Sequence, residues 1–202
     1  MTKSPVFQFK VSLQDIAPPI WRCFQISDQC TFWDLHVAIQ DVMGWTDSHL
    51  HEFTVRNTIT SKKEYIGIPD DDGEDVHPML AGWDVKVKDY IKSKDNQKIS
   101  YLYDFGDSWD HLIEFEGEHE KQSAKYPICL TGEHACPPED VGGISGYENF
   151  LSIIKNPKHK ERKELLEWAG GKYDPDNFNP KKVKFHNPKV RWKQAFIDDV
   201  EF

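Results

Sequence analysis

Residues 99–116 carry the pattern that most restricts the fold. Ile99–Phe105 and Trp109–Glu116 alternate with a period of two: Tyr101, Tyr103 and Phe105, then His111, Ile113 and Phe115. Gly106-Asp107-Ser108 between them supplies the turn, so the two runs predict an antiparallel hairpin with one buried face. The same period recurs at Val6–Leu13, where Phe7, Phe9, Val11 and Leu13 share a face, and again at Ile20–Ile26 after Pro18-Pro19. These runs predict an opening hairpin. A third stretch, His49–Val55, reads as a strand with His49, His51, Phe53 and Val55 on one face, followed by a short strand near Tyr65–Ile68. Val85–Ile91 reads as a strand running into one helical turn.

Helical spacing appears once early. Thr31 caps a stripe of Phe32, Leu35, Ile39, Val42 and Met43, and Gly44 supplies the left-handed stop. It returns late. Ser145-Gly146-Tyr147-Glu148 has the form of a capping box ahead of Phe150, Leu151 and Ile154, with Asn156-Pro157 as the stop. His159–Ala169 predicts a further helix ended by Gly170-Gly171, and residues 181–202 read as an extended tail. Strands first and helices last, without β-α-β alternation, give an α+β fold. The expected architecture is one domain over residues 1–202: a largely antiparallel sheet, a ββα, ubiquitin-like start, helices packed on the sheet and a helical C-terminal third.

With 202 residues, seven Trp and twelve Phe, the chain can build a core without crosslinks. No apolar run is long enough to span a bilayer and the first residues lack a secretory apolar stretch, so the expectation is a cytoplasmic protein without membrane contact. The net charge of −9 argues against a surface that is nucleic-acid-binding throughout. The charge is uneven, however. Residues 1–154 hold 13 Lys/Arg against 26 Asp/Glu, whereas residues 155–193 hold 12 against 5. That basic segment could contact phosphate or dock on the chain's own acidic half, although a solvated helix and tail is the more usual use of such a charge run. The densest acidic run, Asp70 to Asp75, lacks the alternating spacing of a calcium hand and reads as a polar loop.

Several side chains have metal-binding or recognition chemistry. His49 and His51, at i and i+2, would point to one sheet face, and His111 shares the face of Ile113 and Phe115. Three imidazoles with a thiolate or carboxylate would suit zinc or another divalent metal. The same rings could instead be partly buried and hydrogen-bonded to Asp47, Asp104 or Asp107. Of the four cysteines, Cys23 and Cys30 fit core packing, while Cys129 and Cys136 lie in a polar, proline-bounded loop where thiols could meet a soft cation. Pro137-Pro138-Glu139-Asp140-Val141-Gly142-Gly143 combines stiffening prolines with glycines that permit close backbone approach to a ligand or to another part of the fold. The chain has no G-x-S-x-G elbow, P-loop, G-x-G-x-x-G or H-E-x-x-H.

Three segments in order are shared with a known family: Pro18-Pro19-Ile20-Trp21-Arg22 with Met43-Gly44-Trp45 and Ser48-His49-Leu50-His51-Glu52-Phe53; Tyr103 to His111; and Cys136 to Gly143 with Gly146-Tyr147. Over about residues 5–180 the chain resembles the plasmid pRiA4b ORF-3-like family, which includes passenger proteins of bacterial insertion elements, some labelled as resolvases. The resemblance implies a fold without naming a reaction, and no nucleophile beside a basic patch supports resolvase chemistry here. The motif residues that coincide with the chemistry above are His49, His51, Asp107, Trp109, His111, Cys136, Glu139 and Asp140, with Tyr147 beside them. The first expectation is therefore a binding or accessory module with a protein partner. The competing ones are a metal-dependent hydrolase using the His/Cys/Asp cluster, and a DNA-associated accessory protein acting through residues 155–193.

Overall fold

A computed structural model describes residues 5–69, 77–91, 98–122 and 125–197. The acidic run read as a polar loop lies outside these residues. Eight strands among them form one mixed sheet. They are β1 (Val6–Leu13), β2 (Trp21–Ser27), β3 (His51–Arg56), β4 (Lys63–Gly67), β5 (Met79–Ala81), β6 (Lys98–Tyr103), β7 (Trp109–His119) and β8 (Ile128–Glu133). Their spatial order is β5-β4-β3-β6-β7-β1-β2-β8, antiparallel throughout except for the β4–β5 pair. Four helices accompany the sheet: α1 (Phe32–Met43), α2 (Gly143–Lys155), α3 (Arg162–Trp168) and α4 (Pro188–Phe196). The result is an α+β fold with a mostly antiparallel sheet.

The opening hairpin forms as expected, with Phe9 opposite Phe24 and Val11 opposite Arg22. The sheet then continues on both sides, because β1 also pairs with β7 and β2 with β8. Phe7, Phe9, Val11 and Leu13 are buried on one face while Gln8, Lys10 and Ser12 alternate with them at lower burial, the signature of a strand with one face on the core.

Helix α1 begins at a reciprocal box: Asp34 N donates to Thr31 Oγ1 at 3.1 Å and Thr31 N donates to Asp34 Oδ2 at 2.8 Å. Gly44 ends it at φ 90°. Every residue of α1 except Asp34 is buried, more than one apolar stripe explains. Helix α4 accounts for part of the excess. Trp33 Nε1 donates to Pro188 O at 2.9 Å, and the Trp33 and Phe196 rings lie 5.7 Å apart.

Several expectations need correction. The tail expected to be extended contains α4, capped by Asn187 with Pro188 at its first turn. β8 lies where a polar loop was expected. Val85–Ile91 contributes one isolated bridge at Lys86 and a 3₁₀ turn at Val87–Asp89 in place of a strand. Helix α2 starts at Gly143 without a side-chain cap of its own, so Ser145-Gly146-Tyr147-Glu148 is not a capping box. Its first turn is served from another loop, since Gly142 N donates to Asp107 Oδ2 at 3.0 Å. A carboxylate at that end also suits the helix dipole.

Candidate functional site

Three loops meet beside the β3-β6-β7 part of the sheet: residues 44–50 ahead of β3, residues 104–108 between β6 and β7, and residues 134–142 ahead of α2. Each contains non-glycine residues in the left-handed region, with Asp47 at φ 65°, Asp104 at 58°, Ser108 at 54° and Asp140 at 61°. Such conformations are unfavourable and persist where surrounding contacts over-determine them. Those contacts are specific. Asp104 Oδ1 accepts from Gly106 N at 2.9 Å and Asp107 N at 3.2 Å. Glu139 accepts from Thr46 N at 2.9 Å, Thr46 Oγ1 at 2.5 Å and the Tyr103 hydroxyl. Trp45 Nε1 donates to Pro137 O at 3.0 Å. Burial pushes the Glu139 carboxyl up, but the hydrogen bonds from Thr46 and Tyr103 outweigh it and hold the group below its usual range. At Gly143, φ 66°, a Cβ would stand 2.6 Å from Asp107 O, so the glycine allows the two loops to touch.

Among the described residues two sets of potential ligand atoms result, each within 4.8 Å of one another. The first is buried: His36 on α1, Asp47, and His51 on β3. Asp47 Oδ1 accepts from His36 Nε2 at 2.6 Å, His36 Nδ1 accepts from the Tyr101 hydroxyl at 2.8 Å, and Gln40 Nε2 donates to that hydroxyl at 3.0 Å. Burial drives both imidazoles well below the ordinary histidine range and raises Asp47 to about 6. The two rings are stacked at 3.5 Å with planes 8° apart. Parallel rings have parallel in-plane lone pairs, so one ion cannot lie on both axes. In this set the neutral His51 ring stacks on a His36 that is hydrogen-bonded to Asp47 and Tyr101.

The second set is His49, Asp104 and Asp140, and it is partly open. His49 Nε2 is 2.8 Å from Asp140 Oδ1 and 3.6 Å from Asp104 Oδ2, with side-chain exposures of 30%, 64% and 10% respectively. Asp140 also lines a cleft of about 460 Å³ between α2 and α3, together with Glu161, Glu164, Phe150, Leu165 and Trp168. No lysine or arginine lines that cleft. Three large apolar side chains are exposed around these features: Leu50 next to His49, Phe105 next to Asp104, and Trp168 in the cleft, at 54%, 48% and 49%.

The expected three-imidazole cluster is not assembled. His49 falls in the turn before β3 and so does not share a strand face with His51; the two belong to different sets. His111 belongs to neither, because β6 intervenes, with His51 opposite Tyr103 and Tyr101 opposite His111. His111 Nδ1 donates to Trp109 O at 2.8 Å, and burial lowers its pKa to about 4. Cys129 lies on β8 and Cys136 packs near Arg22; burial raises their thiols to about 11 and about 12, away from the thiolate a metal needs. Trp109 is buried against Trp45, with ring centroids 5.9 Å apart. Tyr147 shares a hydrogen bond with the Tyr173 hydroxyl at 2.7 Å, and Tyr173 donates to Cys136 O at 3.0 Å. Among the sequence-selected residues, His49 and Asp140 converge at the open set, Asp107 and Glu139 fix its loops, and His51, Trp109, His111 and Tyr147 are packed within the core.

Sequence reasoning missed His36, whose only signal was a polar side chain inside the apolar stripe of α1. It also missed Arg22 as a structural cation. Buried under Phe178, whose ring lies 3.7 Å from the guanidinium carbon, Arg22 donates to the carbonyls of Val42, Trp21 and Glu133. Burial lowers its pKa.

These features sit on a chain with clear relatives. A solved structure, described as a protein of unknown function MM3350 from Methanosarcina mazei Go1, superposes with a TM-score of 0.82 at 38% identity, covering 91% of this chain and all (100%) of that one. The uncharacterized protein y4hQ of Sinorhizobium fredii is 35% identical over 165 residues, 82% of this chain and 81% of its own length. Neither relative has an assigned activity. The plasmid pRiA4b ORF-3-like family model matches residues 5–182, the span that holds all three loops and both sets of ligand atoms, and the chain belongs to that family.

Proposed function

We propose that this protein is a binding module that receives a basic, partly apolar segment of a protein partner in the α2–α3 cleft. The observation that carries the reading is the composition of that cleft: three carboxylates (Asp140, Glu161 and Glu164), a half-exposed Trp168 and no cation on the lining. Carboxylates beside an aromatic face favour a guanidinium or ammonium group, by charge and by cation–π attraction. Leu50 and Phe105 add the exposed apolar surface that protein interfaces use. The rigid pinning of the three loops supports recognition by a preformed surface, which limits the ordering cost on binding.

The test is selection from a random peptide library against wild-type protein and against a Glu161→Gln/Glu164→Gln variant. Enrichment of Arg- or Lys-containing peptides by the wild type, lost in the variant, is the expected result. Wild-type selections without basic residues would overturn the reading. The DNA-associated reading is weaker, because part of the basic segment is spent internally: Arg191 donates to Thr46 O at 2.6 Å and lies 3.5 Å from Asp41 and 3.7 Å from Asp47. Duplex binding that falls steeply with salt and is lost on neutralising Lys181, Lys182 and Lys184 would restore it.

A further inference from the structure

The open set formed by His49, Asp104 and Asp140 has a geometry that a salt bridge alone leaves unexplained. One imidazole nitrogen can donate to one acceptor, and His49 Nε2 stands 2.8 Å from Asp140 Oδ1. Asp104 Oδ2 is left 3.6 Å from the same nitrogen, too far for a hydrogen bond, although the side chain is only 10% exposed. Its companion oxygen is held by the amides of Gly106 and Asp107, so the β6–β7 turn fixes the orientation of the carboxylate. Among the described residues, neither Asp104 nor Asp140 has a lysine or arginine within salt-bridge distance. A side chain nine-tenths buried thus holds one carboxylate oxygen without a hydrogen bond beside an imidazole and a second carboxylate, with no lysine or arginine to balance the two acids.

We propose that His49 Nε2, Asp104 Oδ2 and Asp140 Oδ1 together bind one divalent first-row transition ion, with zinc as the representative. In a tetrahedral zinc site with bonds of 2.0–2.1 Å, neighbouring ligand atoms are separated by about 3.3 Å, and the observed 2.8 Å and 3.6 Å bracket that spacing. The ion takes the Nε2 lone pair of the tautomer protonated at Nδ1, so the ring remains neutral and its proton stays on the imidazole. The backbone amides on Asp104 Oδ1 orient the ligating carboxylate, the role that outer hydrogen bonds play in metal centres. Three protein ligands on a surface where His49 and Asp140 are 30% and 64% exposed leave room for a fourth from solvent or from a partner. The inference shares Asp140 with the cleft, but the peptide selection turns on Glu161 and Glu164, which are not among the ligands, so failure of one reading is distinguishable from failure of the other.

The test is calorimetric titration of zinc chloride into tag-free, chelator-treated full-length protein, with cobalt absorption spectra as a readout of coordination. The expected result is one ion per chain, with affinity reduced at least about tenfold by Asp140→Asn and by Asp104→Asn, and with visible cobalt bands that both variants lose. Asp140 is exposed, and an Asn at 104 keeps the oxygen that accepts from Gly106 and Asp107, so both variants are expected to fold. Melting curves verify that. Absence of zinc binding to the wild type, or binding of equal strength in the two variants, would overturn the proposal.

Discussion

His36 and His51 lie ring against ring at 3.5 Å, yet His36 is hydrogen-bonded through both nitrogens and His51 through neither. The pair therefore divides into a bonded member and a packing member. Replacing a buried unpaired polar group by an apolar one of similar shape is close to neutral, whereas removing a member of a bonded chain leaves its partners unsatisfied. His51→Phe should change stability by less than about 1.5 kcal/mol. His36→Phe should cost roughly 2–4 kcal/mol by stranding Asp47 and the Tyr101 hydroxyl. Urea titrations of the two variants check this, and equal losses would contradict it.

Stability should fall on mild acidification. Burial keeps His36 and His51 neutral well below the ordinary histidine value of 6.5 and lowers His111 to about 4. The unfolded chain takes up these protons as pH drops through 6.5 and the folded chain does not, so stability is lost between pH 6.5 and 4. Asp47 works in the opposite sense, because its folded carboxyl protonates near about 6 and its unfolded one near 3.8. Three histidines outweigh one aspartate. The unfolding free energy should decline by about 1.4 kcal/mol per pH unit for each net proton, with a smaller slope in His111→Gln. A melting temperature that is constant from pH 7 to 4.5 would exclude this balance.

Arg22 ties the edge strand to the rest of the sheet through Trp21 O and Glu133 O, and reaches α1 through Val42 O. Lysine cannot reproduce a planar fork stacked on Phe178. Arg22→Lys should lose about 2–3 kcal/mol and should speed amide exchange in β8 more than in β1. Uniform exchange across both strands would count against the strand-tying role.

Gly143→Ala places a methyl 2.6 Å from Asp107 O at a backbone φ of 66°. The expected cost is about 1–3 kcal/mol. The same variant should weaken zinc binding if the three loops act as one unit, and unchanged stability would show that they move apart freely.

Thiol chemistry should be slow in the folded protein. Burial raises Cys23 and Cys136 to about 12 and Cys129 to about 11, and pushes Cys30 up as well. At pH 8 a disulfide reagent should label Cys129 first, as the half-exposed thiol with the smallest shift, and all four only after denaturation. Rapid labelling of Cys136 in the native state would contradict its packing.

Period-two alternation marked β1, β2, β6 and β7 because each has one buried face, and Gly44 and Thr31 marked both ends of α1. The edge strand β8 was not legible. Its residues Leu130 and Thr131 are exposed and Gly132 breaks the pattern, so no face announces itself. That glycine is needed because a Cβ there would meet Trp21 O at 2.6 Å and Phe178 at 2.7 Å, contacts that exist only after folding. Helix α4 was hidden by its charge: its apolar contacts come from Trp192 and Phe196 meeting Trp33 and Trp83 across the fold. The candidate site was half legible. His49 and Asp140 stood out by type and motif, but their partner Asp104 was visible only as one of three possible hydrogen-bond partners for a histidine ring. The assignment of His49 and His51 to one face failed because His49 still lies in the loop that holds the left-handed Asp47, and β3 begins only at His51.

The pairing of β1 with β7 also governs the order in which the molecule can assemble. β1 meets β2 across a short turn, so that hairpin closes early, but its other edge waits for residues 111–119. Until then a strand carrying Phe7, Phe9 and Val11 has one row of backbone groups unpaired during synthesis, open to pairing with other nascent chains. The wait includes everything from α1 to β6. Folding of this protein is therefore expected to be limited by that long-range closure, and conditions that lower the number of nascent chains present at once should raise its soluble yield.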